Sequence, residues 1–423
     1  MGEIGVLFGG PAPEHDVSIL TGLQACRELV AGGRDVVAIY WTKSGAFVGV
    51  GPGLEAEAFL DGAPPRAEPL SLLCGPEGGF YAQGRLGRSR RLELEAVICC
   101  THGGPGEDGT LQGALDLAGV RYAGPSVPGA AIGMDKLAFA AVMAAVGVPA
   151  LPRVELTDRT DAVGFEGPYI VKPRFGGSSI GIDVVGDLAT ARARLLVNPH
   201  LVAGAVLEPY RADLRDLQVA VRTHPALELS AIERPLRASA DGEILGYADK
   251  YVAGEGMAAA PRELPAALDD ATAARVRSAA TTIAAACLVR GIARIDFLEG
   301  ADGTFANEIN TIPGSLSRYL FIDPKRPFLE LLEDLVAEAV ASPTHSYVVA
   351  GADGTVLRDA RCRGRPAPHG RRRRQRARGG RGRARGRRAR TRPPRTPPAA
   401  ARGGPRRGTT RSPRAPSRTA RTR

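Results

Sequence analysis

The stretch Ala293-Arg294-Ile295-Asp296-Phe297, followed by Ala301-Asp302-Gly303 and then Asn307-Glu308-Ile309-Asn310, decides the reading of this chain. Polar side chains alternate with Ala, Ile and Phe on both sides of a Gly-containing turn, the pattern of two paired strands. Period-two alternation places Arg294 with Asp296 on one face, and Glu308 with Asn310 on one face. With Ala301-Asp302-Gly303 as a three-residue loop and Gly303 left-handed, Asp296 stands opposite Glu308. Two carboxylates and an amide oxygen then converge, and hard oxygen donors of this kind suit Mg²⁺ bridging nucleotide phosphates. A two-residue loop would pair Phe297 with Glu308 and aim the acids apart. The plainer alternative, a solvated hairpin with surface charges, leaves unexplained why acids and Asn interrupt otherwise apolar strands.

Working outward, Gln218 to Arg222 alternates as a strand, Asp269 to Val289 reads as a long Ala-rich helix, and Glu330 to Val340 as a closing helix. Further upstream, the apolar strand Tyr169 to Lys172 runs into Phe175-Gly176-Gly177-Ser178-Ser179-Ile180-Gly181. That loop offers backbone N–H groups, two hydroxyls and the φ freedom to fold over phosphates. Val206 to Glu208 forms another short strand, and an Ala-rich helix starts after Met134-Asp135-Lys136. The chain has only five lysines, and Lys136, Lys172 and Lys250 sit at such positions. In a chain that otherwise uses Arg, a retained Lys points to a compact ammonium facing phosphate oxygens, against chance surface placement.

Towards the N-terminus, Ile4 to Phe8, Val36 to Tyr40 and Ala96 to Cys100 read as strands, and Ser18 to Leu29 as a helix. This alternation predicts a parallel α/β domain with ligand groups at the carboxyl ends of its strands. Residues 45–91, rich in Gly, Pro and Arg, predict loops and at most a hairpin. Gly104-Pro105-Gly106-Glu107-Asp108-Gly109 matches the dinucleotide fingerprint in letters only. Glu107 and Asp108 would set two carboxylates against a pyrophosphate, and no acid follows about 20 residues on.

Over all 423 residues, 56 Lys and Arg oppose 45 Asp and Glu, but 25 Arg fall between Arg361 and Arg423, where there is no acid, no Lys and no large apolar side chain. The first 360 residues therefore carry a net charge of −14. A segment with nothing apolar to bury cannot offset its ordering entropy, so residues 361–423 are expected to be disordered. Such a tail could bind nucleic acid through counterion release. It also has the composition that a shifted reading frame produces in a gene rich in G and C. Met1 to Gly10 lacks the basic cluster of a secretory signal, and the uncharged stretch ending at Leu151 is too short to span a bilayer. Six cysteines without CxxC spacing predict buried, reduced thiols in a cytoplasmic protein.

As a set, these stretches resemble the D-alanine:D-alanine ligases of the ATP-grasp superfamily. The resemblance rests on Gly9-Gly10 with Glu14-His15-Asp16-Val17-Ser18, His102-Gly103-Gly104 with Gly106-Glu107-Asp108-Gly109, Met134-Asp135-Lys136, Val171-Lys172-Pro173, Gly177-Ser178-Ser179-Ile180-Gly181, Asp249-Lys250-Tyr251, Arg294-Ile295-Asp296 and Glu308-Ile309-Asn310-Thr311-Ile312-Pro313-Gly314. It covers residues 4 to about 340 and excludes the tail. It implies an α/β and α+β architecture, an ATP-grasp fold behind an N-terminal Rossmann-like parallel-sheet domain. The expected divisions are an α/β substrate-binding domain at 1–128, a central subdomain with the lid loop at 129–212, and a C-terminal subdomain with the metal site at 213–345.

The implied reaction joins two D-alanines: ATP phosphorylates the carboxyl of the first, and the amine of the second attacks the acyl phosphate. In the roles implied, Lys136, Lys172 and Lys250 hold phosphates, Gly177 and Ser179 close over them, Glu208 meets the adenine edge and Asp216 the ribose. Asp296, Glu308 and Asn310 bind two Mg²⁺, with Mn²⁺ as an alternative. Arg294 and the Gly314 amide face the oxyanion. Glu14 pairs with the first ammonium beside His102, and Ser178 and Tyr251 join the network that closes the lid. The family is often a homodimer and uses no membrane.

Ser315-Leu316-Ser317-Arg318-Tyr319 departs from the family pattern, with Tyr319 where a Ser usually holds the second carboxylate and Ser317 two residues early. Ser317, Arg318 or Tyr319 then makes that contact, or the chain is a sister ligase with another acceptor. From a different class, a nucleic-acid-associated protein acting through its Arg tail stays open.

Overall fold

Strand β1 (Glu3–Gly9) is buried at every position after Glu3, which requires cover on both faces, as parallel sheets have. It pairs in parallel with β2 (Val36–Trp41) and with β7 (Leu94–Cys99). The helix His15–Ala31 lies against it so closely that a Cβ at Gly22 would stand 2.4 Å from that of Phe8. The computed structural model describes residues 2–84, 89–236 and 261–342, with a few positions between 350 and 357. Lys250, Tyr251 and the tail 361–423 lie outside the described residues.

Residues 45–91 depart from the expectation of loops. They form β3 (Phe47–Val50), β4 (Glu68–Leu73), β5 (Gly79–Gln83) and β6 (Ser89–Arg91), antiparallel and in series from β2. With β8 (Tyr122–Ala123) they complete one sheet in the order β6-β5-β4-β3-β2-β1-β7-β8. These strands are short and partly exposed, so no apolar run announces them. The thiols also differ in part: Cys26, Cys99, Cys100 and Cys287 are free and buried, but Cys74 is exposed.

Two antiparallel sheets follow. β9 (Val154–Leu156), β10 (Tyr169–Pro173), β11 (Asp183–Val185) and β12 (Ala205–Pro209) form the order β11-β10-β12-β9 over a small core that includes Val171 and Leu207. β13 (Arg215–Arg222), β14 (Glu228–Pro235), β15 (Arg262–Glu263), β16 (Ile292–Gly300) and β17 (Gly303–Asn310) form the order β15-β14-β13-β16-β17. The helix Asp270–Ala286 covers this sheet through Val276, Ala280 and Ile283, and the helix Lys136–Val146 joins the same core through Phe139 and Met143. One parallel-centred sheet and two antiparallel sheets make the α/β and α+β architecture expected. Among the described residues no helix is long and apolar enough to cross a membrane.

Candidate active site

The β16–β17 hairpin brings the acids together by a different route from the one its sequence predicts. Gly300 pairs with Gly303, so the turn holds two residues, Ala301 and Asp302, and not three. The ladder then slips by one residue at Asn307, after which Asp296 faces Glu308 and Arg294 faces Asn310. A bulge supplies the offset that the loop was expected to supply. Asn307 is held in that position: its carbonyl accepts from Arg153 at 3.0 Å and its Oδ1 accepts from Lys172 at 3.3 Å. Asp296 is 6% exposed and takes the Arg294 guanidinium in two bonds of 2.7 and 2.8 Å, with Asn310 Nδ2 at 3.2 Å and Gln218 Nε2 at 3.3 Å.

Beside this hairpin opens a cleft between the two antiparallel sheets. Its walls include Lys136, Lys172, Glu208, Asp216 and Glu308, with Ile170, Ile182 and Leu298 as apolar surface fit for a flat base. The Glu208 carboxylate is held by Lys172 at 2.9 Å and by Arg153 at 2.6 Å. Burial alone would raise its pKa, but the two cations outweigh burial and hold it at about 2. Arg153 carries no signal in the sequence, because Arg is the commonplace cation of this chain. Asp135 caps the helix Lys136–Val146 by accepting from the Leu137 and Ala138 amides, and Arg174 grips the same carboxylate. That cap fixes Lys136 in the first turn, where its ammonium donates to the Gly176 carbonyl at 2.5 Å and lies 3.9 Å from Glu308. Burial lowers the Lys136 pKa, and Glu308 opposes that shift.

The Gly-Ser loop reaches back to the parallel sheet. Ser178 donates to Glu14 Oε1, and both Ser178 and Ser179 adopt left-handed φ, 52° and 58°. A Cβ at Gly177 would stand 3.1 Å from the same carboxylate oxygen. Glu14 and Ser178 thus meet as expected, whereas their third expected partner, Tyr251, lies outside the described residues.

The segment after Asn310 is clamped from the N-terminal sheet by two side chains. Glu107 accepts from the Ile312 amide at 2.9 Å, the Thr311 hydroxyl at 3.2 Å and the Gly103 amide at 3.0 Å. His102 donates to the Ile312 carbonyl and meets Thr21 Oγ1 at 2.9 Å, which itself accepts from the Ser315 amide at 3.1 Å. Burial, with Arg294 adding to it, lowers the imidazole pKa to about 4 and keeps it neutral. Gly314 follows, buried, and then Ser315, Leu316 and Ser317 run left-handed with φ of 51°, 48° and 51°. In the sequence, Glu107 serves to reject a nucleotide fingerprint and to carry part of the family resemblance, with no role of its own, and His102 is placed against substrate. The three-atom clamp on Thr311 and Ile312 is visible only in three dimensions.

The family profile described as "D-ala D-ala ligase N-terminus" matches residues 3–125, and that described as "D-ala D-ala ligase C-terminus" matches residues 139–325. A D-alanine--D-alanine ligase of Bradyrhizobium sp. (strain ORS 278) is 32% identical over 354 residues, covering 80% of this chain and 95% of that one. This chain belongs to the D-alanine–D-alanine ligase family. The Mycobacterium bovis ligase of that name is also 32% identical, over 330 residues, covering 74% and 87% of the two chains. Among solved structures, the Helicobacter pylori D-alanine-D-alanine ligase matches with a TM-score of 0.63 and 24% identity over 82% of this chain and 100% of that one. The VanG D-Ala:D-Ser ligase of Enterococcus faecalis matches with a TM-score of 0.65 and 24% identity over 80% and 99%. The last two likenesses bear on the fold.

A D-alanine–D-alanine ligase that uses ATP calls for a divalent cation at the phosphates, and the donor set fits one. Among the described residues no three His, Cys, Asp or Glu side chains form a closed cage. Two carboxylates and one amide at a cleft mouth are instead the partial oxygen set that Mg²⁺ takes when substrate phosphates and water complete its shell. In this structure Asp296 is shared with Arg294, so a cation held there would loosen that pair.

Proposed function

We propose that this chain ligates two D-alanines to D-alanyl-D-alanine at the expense of ATP, through an acyl phosphate, for cell-wall precursor synthesis. The observation that carries this reading is the convergence of three elements on one space. Asp296 faces Glu308 at the cleft mouth, Lys136 and Lys172 line the cleft, and Glu14 meets the Gly-Ser loop from the other side. ATP enters with its base against Ile170, Ile182 and Leu298, its ribose by Asp216 beyond Glu208, and its phosphates by Lys136, Lys172, Gly177 and Ser179. Asp296, Glu308 and Asn310 would hold two Mg²⁺, which would supply neutralising charge for the transferring phosphoryl group.

Glu14 pairs with the ammonium of the first D-alanine and holds its carboxylate towards the phosphate. Ser178 keeps Glu14 in place as the loop closes, with Lys250 and Tyr251 completing the closure. Attack by the second amine builds negative charge on the former carboxyl oxygen, which Arg294 and the Gly314 amide stabilise as placed donors. Glu107 and His102 set the position of that amide. Collapse of the tetrahedral intermediate expels phosphate and leaves the peptide bond.

In this reading the protein is a cytoplasmic homodimer, divided at residues 1–128, 129–212 and 213–345. The test is ADP release by the purified chain with D- and L-amino acids, with products weighed by mass spectrometry. D-Alanine should stimulate release and give the dipeptide; release that is indifferent to D-alanine would remove the reading.

A further inference from the structure

Strand β13 brings a second amide to the acids of the hairpin. Its Leu217, Val219 and Val221 enter the core beneath the helix Asp270–Ala286, so alternation turns Gln218 to the opposite face. The register sets Gln218 directly across from Asp296 on one side, as it sets Glu308 across from Asp296 on the other. Gln218 is 5% exposed, lines the cleft together with Asp296, Glu308 and Lys172, and donates from Nε2 to Asp296 Oδ2 at 3.3 Å. Its Oε1 is buried and has no hydrogen-bond partner among the described residues.

Arg294, Asn310 and Gln218 thus all donate to one carboxylate. In the reading above, Arg294 turns to the oxyanion and Asn310 to the cation. No such task claims Gln218. A ligating carboxylate relies on outer hydrogen-bond donors to keep its orientation once a cation draws on it. We propose, building on the proposed cation site, that Gln218 is a positioning residue for Asp296. It steadies the carboxylate from the β13 side while Arg294 and Asn310 change partners.

The open Oε1 separates this role from a purely structural one. A buried carbonyl left without a donor costs stability, and one long hydrogen bond at the other end of the amide offsets little of that cost. For folding alone, an apolar side chain of similar length would serve position 218 at least as well. The amide is explained by what it does for Asp296. An acid would not replace it, because a third carboxylate beside Asp296 and Glu308 would repel both and, when ionised, has no proton to donate.

The test is Mn²⁺ binding by the full chain in the presence of a non-hydrolysable ATP analogue, followed by the electron paramagnetic resonance of the free ion. Urea unfolding of the metal-free protein accompanies it. Gln218→Met and Gln218→Leu should each weaken Mn²⁺ binding roughly 10- to 100-fold. Their unfolding midpoints should equal or exceed that of the wild type, and without metal the analogue should bind both variants as it binds the wild type. Unchanged Mn²⁺ affinity in both variants would overturn the role. Midpoints that fall along with the affinity would make Gln218 a structural residue and overturn it too, as would weakened analogue binding without metal. A wild type that binds no Mn²⁺ beside the analogue would remove the cation site and this role with it. None of these readouts involves D-alanine, so failure of the ligase reading, seen as ADP release indifferent to D-alanine, is a separate result.

Discussion

Asp296 stands opposite Glu308 because Asn307 is looped out of the ladder between Ala306 and Glu308. Deleting Asn307 would leave a regular ladder with the two acids still opposed, while removing the groups that Arg153 and Lys172 hold. The KM for ATP should rise about tenfold, the worth of one or two buried hydrogen bonds, with Mg²⁺ dependence retained. Steady-state ADP release at varied ATP and Mg²⁺ checks this; lost Mg²⁺ dependence would mean that the bulge itself shapes the metal site.

Asp296→Asn removes a charged donor from the proposed cation site and half of the Arg294 pair. Turnover should fall on the order of 100-fold or more, partly restored by raising Mg²⁺. Arg294→Lys, by contrast, should bind ATP normally and lose about 100- to 1,000-fold in kcat, because a single ammonium cannot reproduce the placed fork. Parallel kcat and KM measurements separate the two, and an Arg294→Lys effect confined to KM would contradict an oxyanion role.

Arg153→Met strips one of two cations from a carboxylate that is only 1% exposed. Breaking a buried ion pair on one side should cost about 3 kcal/mol of stability. Adding Glu208→Gln to that variant should deepen the loss, since the buried Lys172 ammonium then has no carboxylate to pair with. Urea unfolding of the four proteins of the cycle gives the coupling, and simple additivity would mean that the pair contributes nothing specific.

Glu107 and His102 predict opposite pH dependences. Burial, then the nearby charge of Glu14, raises the Glu107 carboxyl from 4.5 to about 7. The folded state therefore binds that proton more tightly than the unfolded chain. Its contribution to stability is full below 4.5 and is lost as pH rises through about 7. His102, lowered by burial from 6.5 to about 4, contributes fully above 6.5 and loses that contribution as pH falls through about 4. Glu107→Gln removes only the first dependence, so between pH 5 and 8 its stability should gain on wild type by on the order of 3 kcal/mol. Denaturation midpoints at the two pH values measure this, and parallel curves would show that Glu107 does not titrate in that range.

Truncation after Ala360 should leave kcat and both substrate KM values unchanged, because the family match ends at residue 325. A coupled ADP assay on the shortened chain decides, and a loss of turnover would give the Arg-rich segment a catalytic part.

Much of the site was legible because its chemistry is written in local pattern. Alternation of acids and apolar residues marked β16 and β17, and the scarcity of lysine singled out Lys136 and Lys172. What sequence misjudged was spacing that depends on long-range partners. The two-residue turn Ala301-Asp302 and the bulge at Asn307 differ from the predicted loop because Arg153 and Lys172, far off in sequence, hold the looped-out residue. Strands β3 to β6 were missed because each is stabilised by its neighbour across the sheet and not by an apolar run of its own.

The sequence by itself determined which chemical groups are present and in what order: acids, amide and arginine on a hairpin, a Gly-Ser loop after a lysine, an acidic body and a basic tail. Only the tertiary structure decided which of them act together. Glu208 is committed to Arg153 and Lys172, Glu107 and His102 serve the turn that bears Gly314, and Glu233 is drawn to Arg262 and Tyr319. A carboxylate's partner is set by distance and burial across the fold, and nothing local to Glu107, Glu208 or Glu233 specifies either.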